Sequence, residues 1–301
     1  MKILIIGSKG FIGTTAVSYF KGYKYDVFGC DVVTDYNDQK YFQIDATNSD
    51  YNFLFEGRTI DVCINCSGAA SVPLSLEFPF KDFNLNTVNV FKILEAIRNH
   101  QPNCKFVNLS SAAVYGNPVV LPILEGAILK PLSPYGVHKM QAEQICKEFH
   151  EYYKLKVCSV RIFSAFGNGL KKQLLWDLFK KFESSQTVEL FGTGNETRDF
   201  IHVDDVMQAI HLIIQKASFV GEEINLANGV EYTIAHVAEL YKTIFKSNKN
   251  IVFNQFVKPG DPLKWRADIS KIQSMGYISQ KKFEDGIKEY IEWAKQLKID
   301  F

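Results

Sequence analysis

The chain has 301 residues and an almost even charge balance, with 34 Lys and Arg against 33 Asp and Glu. This balance excludes proteins that bind nucleic acids or anionic membranes through a strong basic excess. With 47% apolar and 22% charged residues, the composition is that of a globular protein, neither disordered nor fibrous. No apolar run approaches the roughly 18 residues that a membrane span needs. The length predicts roughly two domains, or one core with a smaller appendage.

The cysteines predict a reduced, metal-free protein. All six stand mostly in apolar, strand-like contexts, which is typical of core residues in a cytoplasmic protein. Cys63 and Cys66 form a CxxC pair, but they lie in a predicted buried strand, where residues i and i+3 point to opposite faces. No second CxxC or Cys/His pair completes a metal site. The apolar run 3–6 ends at Gly7, so the sequence predicts neither a signal peptide nor a lipidation signal.

Short apolar runs alternate with longer amphipathic stretches in the first half of the chain. The apolar runs predict β-strands at residues 2–6, 25–30, 62–66, 105–109 and 156–162. Apolar residues at three- and four-residue steps predict helices over residues 11–20, 80–99 and 134–153. Strands that alternate with helices of this length are typical of parallel strands joined by right-handed crossovers. The predicted fold class is therefore α/β, with a Rossmann-type doubly wound parallel sheet.

The pattern becomes less regular after residue 161. It predicts helices over residues 174–184, 203–216 and 283–297, and a strand over 187–191. No internal repeat and no long Pro/Ser linker separates independent domains, so we expect a smaller α/β substrate-binding domain interleaved with the first. The predicted division gives residues 1–165, with about 200–228, to the dinucleotide-binding domain. Residues 166–199 and 229–301 form the substrate-binding domain.

A glycine-rich segment follows the first predicted strand and opens a helix: Gly7-Ser8-Lys9-Gly10-Phe11-Ile12-Gly13. Glycines at this spacing permit a tight turn, close approach of a pyrophosphate to the backbone, and packing of the helix on the strand. The start of the helix offers free N–H groups and a partial positive charge to phosphates. The segment, including Phe11 and Ile12, predicts a dinucleotide-binding loop. An ordinary strand–turn–helix is the alternative.

Asp31 follows the second predicted strand and indicates which dinucleotide binds. An acid at this place accepts hydrogen bonds from both adenosine ribose hydroxyls and repels a 2′-phosphate. No Lys or Arg occurs between Asp31 and Lys40, so the sequence predicts NAD rather than NADP. Asp45, followed by Ala46, is a candidate for binding the adenine amino group. The alternative for Asp45 is an exposed loop acid.

Two segments predict a specific chemistry. Residues 107–116 contain a predicted strand that ends in hydroxyls, among them Ser111, and residues 133–139 open a helix with Tyr135 and Lys139 one turn apart on one face. A phenol with an ordinary pKa near 10 is a poor base, but the Lys139 ammonium and a cationic nicotinamide both favour the phenolate. Tyr135 would then take the proton of a substrate hydroxyl while hydride leaves the same carbon, and Ser111 would hold that oxygen.

The sequence resembles the extended short-chain dehydrogenase/reductase superfamily, in its nucleotide-sugar epimerase/dehydratase branch. The resemblance covers almost the whole chain, through GSKGFIG, Asp31, NLSSAAVYG, SPYGVHK, GTGNETRDFIHVDDV and GDPLKWRADISKI. It implies that Ser111, Tyr135 and Lys139 are catalytic, and that the last two also contact the cofactor. It further implies NAD as the cofactor, a nucleotide-diphosphate sugar as the substrate, and a homodimer.

The same resemblance implies further residues of the site. Asn86 and the strand end at Ala69 and Ala70 would line the NAD. Arg198 would bind the diphosphate of the sugar nucleotide, as a guanidinium fork suits, and Lys258 stands where sugar epimerases carry a second diphosphate-binding Arg. The other candidates for substrate binding are Ser71, Val72, Ser111 and Ser164.

Departures from the family pattern bear on the reaction. Ala112 and Ala113 follow Ser111 where the dehydratases carry an Asp-Glu pair and the decarboxylases tend to carry a Glu. This disfavours dehydration, and small residues there resemble the hexose 4-epimerases. However, Ser164 replaces a phosphate-binding Asn of the epimerases, and His138 replaces the more usual Ser of the YxSxK pattern. These two changes fit a 4-keto-6-deoxyhexose reductase.

Three functional hypotheses result. The first is an NAD-dependent nucleotide-sugar epimerase that oxidises C4 and reduces it again, with Tyr135 as acid and base. The alternative is an NAD(P)H-dependent reductase of an NDP-4-keto-6-deoxyhexose, which uses the same residues in one direction. The third, a non-catalytic NAD-binding regulator, has no need of Ser111, Tyr135 and Lys139 together.

Overall fold

The computed structural model describes residues 1–46, 48–256, 258 and 260–297. The strands in chain order are β1 (Lys2–Ile6), β2 (Asp26–Asp31), β3 (Tyr41–Gln43), β4 (Val62–Asn65), β5 (Lys105–Ser111), β6 (Lys156–Ile162), β7 (Ser164–Phe166), β8 (Thr187–Leu190), β9 (Thr197–His202), β10 (Val220–Leu226), β11 (Glu231–Thr233) and β12 (Asn250–Phe253). The helices are α1 (Phe11–Gly22), α2 (Asn52–Phe55), α3 (Val72–Glu77), α4 (Pro79–Phe83), α5 (Asn89–His100), α6 (Pro134–Tyr153), α7 (Gln173–Ser184), α8 (Val203–Lys216), α9 (Ile234–Phe245), α10 (Ser270–Ser274) and α11 (Phe283–Gln296).

The main sheet has seven parallel strands in the order β3-β2-β1-β4-β5-β6-β10. The chain builds one side of the sheet from β1 to β3 and then returns to the other side of β1 with β4. At such a reversal the connections leave a crevice at the carboxyl ends of the two central strands, where α/β proteins bind their ligands. The prediction of a doubly wound Rossmann-type sheet is confirmed.

Both faces of the main sheet are buried by helices. Ile3 and Ile5 of β1 belong to a core that includes side chains of α1 and α8, whereas Leu4 and Ile6 belong to a core that includes side chains of α5 and α6. Alternate residues of one strand therefore face different helices, and both sets are apolar. This is why the parallel strands read as continuous apolar runs in the sequence.

A smaller substructure lies in the second half of the chain. It combines a three-stranded sheet in the order β11-β9-β7 with the parallel pair of β8 and β12. Side chains of α7, α9 and α11 share a separate apolar core with these strands. The chain returns to the main sheet through α8 and β10 in between. The predicted domain boundaries themselves stay a prediction.

The structure differs from the sequence-based elements at several places, and neither helix α9 nor the short strands β3, β7, β11 and β12 were predicted. The predicted helix over residues 80–99 consists of α4, a π-helical turn at Asn84–Val88, and α5. Strands β9 and β10 were not predicted, because polar side chains interrupt their apolar pattern. In β10, Glu223 lies 3.5 Å from Arg161 and the Asn225 amide donates to the Ile123 carbonyl, so buried polar partners replace apolar packing there. None of the helices in the described part of the chain combines the length and apolarity needed to cross a bilayer.

Candidate active site

The glycine-rich loop joins β1 to α1 at the sheet crevice. Gly10 precedes the first turn of α1 with an extended backbone. A Cβ added to Gly13 would lie 2.0 Å from the Gly7 carbonyl oxygen, so this turn packs directly on the strand end and only glycine fits. The N–H groups of a first helical turn have no partner within the helix. Phe11 and Ile12 therefore begin a helix whose N–H groups and dipole can hold a pyrophosphate.

Asp31 ends β2 next to this loop. Its carboxylate accepts hydrogen bonds from the backbone N–H of Lys9 at 2.8 Å and of Val32 at 2.7 Å. The Lys9 ammonium pairs with Asp35 and lies 4.7 Å from the centre of the Tyr41 ring. The prediction of NAD rests on the absence of cations shortly after Asp31 in the chain. The structure adds Lys9, which precedes Asp31, to this corner, and Asp35 neutralises the Lys9 charge.

Asp45 and Ala46 lie after β3 at the same edge of the sheet. They line an open cavity together with three other residues, Val32, Gln43 and Ile44. The Asp45 carboxylate accepts a hydrogen bond from the Asn48 backbone N–H at 3.2 Å. The cavity adjoins the strand end that carries Asp31, which is where the adenosine half of a dinucleotide lies in this fold.

Ser111, Tyr135 and Lys139 come together at the carboxyl end of β5. The Ser133 hydroxyl accepts a hydrogen bond from the Gly136 N–H and so begins α6, which places Tyr135 in the first turn. Lys139, one turn later, donates from Nζ to the Leu109 carbonyl of β5 at 2.9 Å. This bond ties the helix to the strand that ends in Ser111.

Burial dominates the ionisation of both groups on α6. It raises the pKa of Tyr135 to about 12, an effect that Asp82 reinforces and the Ser111 hydroxyl opposes. It lowers the pKa of Lys139 to about 8, against the carboxylates of Asp82 and Glu143. The sequence predicts a lowered phenol pKa. The protein's own groups do not produce it, because the cost of burying a phenolate exceeds the effect of the Ser111 hydrogen bond.

A buried amide lies beside Lys139. Asn86 sits in the π-helical turn, and both polar atoms of its side chain are buried without a hydrogen-bond partner among the described residues. A Cβ added to Gly68 would lie 2.5 Å from Asn86 Oδ1 and 3.5 Å from Lys139 Nζ, so the loop that leads to Ala69 and Ala70 runs directly past both. A buried amide without partners offers the donor and acceptor that a ribose hydroxyl or a carboxamide requires. These residues fit the nicotinamide half of NAD.

The candidate sugar residues lie next to the start of α6. The Ser71 hydroxyl accepts from the Leu74 N–H at 3.3 Å and so caps α3. A Cβ added to Gly260 would lie 2.6 Å from a methyl carbon of Val72 and 3.3 Å from Ser133 Cβ. The turn at Gly260 therefore packs against α3 and the start of α6, and it brings the smaller substructure to the edge of the crevice.

Arg198 and Ser164 lie on neighbouring strands of the smaller sheet, β9 and β7. The guanidinium of Arg198 donates from Nη1 to the carbonyls of Thr197 and Pro262, and it lies 5.6 Å from the centre of the Trp265 ring. Burial lowers its pKa, and Asp261 opposes this effect. Its Nε and Nη2 make no hydrogen bond with the part of the chain that the structure describes. A half-buried guanidinium with unpaired N–H donors is suited to bind a phosphate.

Lys258 lies on an aromatic side chain. Its Nζ is 3.8 Å from the centre of the Phe191 ring, and Lys258 itself is exposed. The ring attracts the ammonium and fixes its direction. Lys258 therefore remains available to a second anionic group.

A buried ion pair that the sequence argument missed supports the catalytic helix. Glu143 of α6 accepts two hydrogen bonds from Arg161 of β6, at 3.0 and 2.7 Å, and both side chains are only 2% exposed. Ser110 donates to the same carboxylate, and the other side of the guanidinium donates to the Tyr115 hydroxyl at 2.9 Å. The only sequence signal was the position of Glu143, one helical turn after Lys139 on the same face. The pair fastens α6 to β5 and β6.

The described residues contain no group of three or more His, Cys, Asp or Glu side chains that could hold a metal ion. All six cysteines are free thiols. Cys63 lies within β4 and Cys66 follows the end of that strand. Burial raises the pKa of both thiols, which favours the unreactive protonated form.

The chain is similar to known proteins over almost its whole length. The curated UDP-glucuronate 4-epimerase of Thermodesulfobacterium geofontis is 25% identical over 97% of this chain and 96% of the relative. The crystal structure of UDP-glucuronic acid 4-epimerase from Bacillus cereus, in complex with UDP-glucuronic acid and NAD, superposes with a TM-score of 0.89 at 25% identity, over 98% of this chain and 99% of that one. UDP-glucose 4-epimerase from Thermotoga maritima, solved with UDP-glucose, has a TM-score of 0.88, the same identity and the same coverage.

A family profile matches a shorter part of the chain, which still exceeds half of its length. The profile of the NAD dependent epimerase/dehydratase family matches residues 3–227, which include the glycine-rich loop, Ser111, Tyr135 and Lys139. This agrees with the resemblance inferred from the motifs, which is confirmed. The chain belongs to the NAD dependent epimerase/dehydratase family.

Proposed function

We propose that this protein is a nucleotide-sugar 4-epimerase in which Tyr135 is the acid and base and NAD is the redox cofactor. The observation that carries the proposal is the meeting of Ser111, Tyr135 and Lys139 beside the partnerless amide of Asn86. Two of the similar structures, those from Bacillus cereus and Thermotoga maritima, are 4-epimerases of UDP-sugars, which supports the reaction class. Ala112 and Ala113 support it further, because they supply no acid or base where the dehydratases carry an Asp-Glu pair.

The roles of the residues follow from their positions. The Ser111 hydroxyl and the Tyr135 phenolate bind the C4 hydroxyl of the sugar, and the phenolate takes its proton. The glycine-rich loop, Asp31 and Asn86 would hold NAD, which would supply the acceptor for the C4 hydride and its return. The Lys139 ammonium stabilises the phenolate before this proton transfer. While the sugar is a ketone Tyr135 is a neutral phenol, and it then returns the proton. The net reaction consumes neither protons nor cofactor.

The cations of the smaller substructure hold the substrate's phosphates in this proposal. Arg198 uses Nε and Nη2, since Nη1 is held by backbone carbonyls. Lys258 supplies a second positive charge from the exposed edge, where it lies on Phe191. Ser71, Val72 and Ser164 line the sugar. Local cations of this kind explain how a chain with a formal net charge of +1 binds an anionic ligand.

Arg198→Gln tests this assignment. The variant keeps a polar side chain with N–H donors but loses the charge, so we expect KM for the nucleotide sugar to rise by about 10- to 100-fold, as for the loss of charge-assisted hydrogen bonds. The value of kcat should change little, because the diphosphate is bound equally in the ground and transition states. The control is Lys281→Gln, which removes a cation from a surface pair with Glu289. An unchanged KM in Arg198→Gln would remove this residue from the site.

A 4-ketoreductase remains the second candidate function. Two residues favour it, Ser164 and His138, which both depart from the epimerase pattern. Such an enzyme would use the same Tyr135 as a proton donor, but it would consume reduced cofactor in each cycle.

The decisive assay is incubation with a panel of UDP-, dTDP-, GDP- and CDP-hexoses, with and without NADH, followed by NMR. Formation of the C4 epimer without added NADH is the expected result. Stoichiometric loss of NADH with a 4-keto substrate would replace the proposal by the reductase. Binding of NAD without turnover of any sugar would leave only the non-catalytic regulator.

We also propose that two copies associate through the face formed by α3, α4 and α5. Phe80, Phe91 and Leu76 lie on these helices and are exposed apolar residues, Phe80 at 74%. A patch of this kind is typical of a protein interface. Analytical ultracentrifugation should give twice the monomer mass, and Phe80→Lys should shift it toward the monomer.

The free thiols favour a reducing compartment, which we propose to be the cytoplasm.

A further inference from the structure

Asp82 of α4 and His138 of α6 form a close pair beside the active site. The distance from Asp82 Oδ2 to His138 Nδ1 is 2.6 Å, and the two side chains are 3% and 12% exposed. The ring of Phe83 lies edge-on to the imidazole, with the ring centres 5.4 Å apart. The Thr87 hydroxyl donates to the His138 carbonyl at 3.0 Å. The segment from Asp82 to Thr87 is therefore fastened to α6 at two points.

Asn86 lies within this fastened segment, one helical turn after Asp82. On the other side of the contact, His138 directly precedes Lys139. The amide of Asn86 and the ammonium of Lys139 both lie within reach of Gly68. Asn86 thus lies one turn from Asp82, and Lys139 directly follows His138, so each of these two site residues is close in sequence to one member of the pair. The Asp82–His138 contact therefore determines how the segment that carries Asn86 sits against the catalytic helix.

Asp82 also acts on the catalytic groups through its charge. Its carboxylate raises the pKa of Tyr135 and opposes the lowering of the Lys139 pKa. The second oxygen, Oδ1, is buried without a hydrogen-bond partner among the described residues, so His138 supplies the side-chain hydrogen bond of this carboxylate and the Lys139 ammonium acts on it only through its charge. The other titratable groups that act on Lys139 are Glu143, Cys66 and Cys146.

We propose that the Asp82–His138 pair is a positioning element of the active site, which fixes Asn86 against Lys139 and sets the charge around Tyr135. The inference rests on the proposed function of Tyr135 as acid and base. Both members are positioning residues, because neither touches the place of the reacting atoms. His138 stands where the family pattern has Ser, so the pair accompanies this departure from YxSxK.

Asp82→Asn tests the charge. The substitution keeps the shape and an oxygen that accepts from His138, but it removes one negative charge near Tyr135. We expect the acid limb of the pH profile of kcat/KM to move to lower pH by about 0.5 to 1 unit, because the phenol then loses its proton more easily. The melting temperature should stay close to that of the wild type. A profile that does not move, in a folded variant, would overturn the electrostatic part of the proposal.

His138→Ala and His138→Asn together test the positioning. An Asn side chain places an N–H donor close to the position of Nδ1, whereas Ala places none. We expect NAD to bind at least about 10-fold more weakly to His138→Ala, and within about 2-fold of the wild type to His138→Asn. Titration calorimetry with NAD measures this without turnover. Wild-type affinity for NAD in His138→Ala would overturn the proposal. If His138→Ala does not fold, His138→Asn decides: a folded His138→Asn that binds NAD weakly would overturn the proposal as well.

The outcomes also separate this inference from the proposed function. An inactive Tyr135→Phe together with an unshifted Asp82→Asn profile would reject the pair's electrostatic role alone. A fully active Tyr135→Phe would reject the proposed function. In that case the NAD titrations of the His138 variants would still test whether the pair positions Asn86.

Discussion

Tyr135→Phe should turn over its nucleotide sugar at least about 10²-fold more slowly than the wild type, because it lacks the only phenol oxygen placed beside Ser111 and Lys139 in the described part of the chain. The aromatic ring stays, so the start of α6 should keep its packing. The affinity for NAD should change little, since the glycine-rich loop and Asn86 are untouched. Single-turnover measurements with NMR detection of the epimer would give the rate.

Tyr152→Phe is the matched control. It removes the same hydroxyl near the end of the same helix, where the side chain is 71% exposed. We expect the control to retain the wild-type rate. Equal rates in both variants would show that Tyr135 is not the acid and base, whatever the cofactor does.

Glu143→Gln should lower the free energy of unfolding by about 3 to 5 kcal/mol, because it removes the closest counter-charge of the buried Arg161 guanidinium and leaves only Glu223, 3.5 Å away. The carboxylate of Glu143 accepts two bonds from Arg161 and one from Ser110, and none of the three side chains is accessible enough for water to replace these bonds. Urea unfolding monitored by circular dichroism gives the measurement. Activity should fall with it, since Glu143 holds the helix that carries Tyr135 and Lys139.

The control for this substitution is Glu289→Gln. Glu289 also accepts two hydrogen bonds from one cation, Lys281, at 2.8 and 2.9 Å, but its side chain is 46% exposed. We expect a loss below about 1 kcal/mol there, because water replaces the partner of an exposed ion pair. Similar losses of unfolding free energy in the two variants would mean that burial does not make the Glu143–Arg161 pair more stabilising than an exposed ion pair.

The elements that sequence analysis predicts best are those with an uninterrupted local pattern. Strands β1 and β6 and helices α6 and α8 begin and end at the predicted residues. In α6, the Ser133 cap and an apolar face defined the ends. In contrast, β10 carries Glu222, Glu223 and Asn225 in its interior, and no local rule assigns such a segment to a buried strand. The segment forms a buried strand because its polar side chains have partners on β6 and in the loop before α6.

The candidate site shows the same division. The helical spacing of Tyr135 and Lys139, the glycine loop and Asp31 are local features, and the sequence alone predicted them. It did not indicate that Lys9 lies beside Asp31, or that the turn at Gly260 packs on Val72. These contacts join residues far apart in the chain, and periodicity does not extend over such separations.

The sequence by itself thus determined the fold class, the family and the groups available for chemistry, because a strand–loop–helix and one helical turn already define them. Only the tertiary structure decided the environment of those groups. It half-buries Tyr135 and buries Lys139, and so shifts their pKa values away from the ordinary ones. It also pairs Asp82 with His138 and Glu143 with Arg161. The physical reason is that desolvation and ion pairing depend on what packs around a side chain, which the spacing of residues along the chain does not specify.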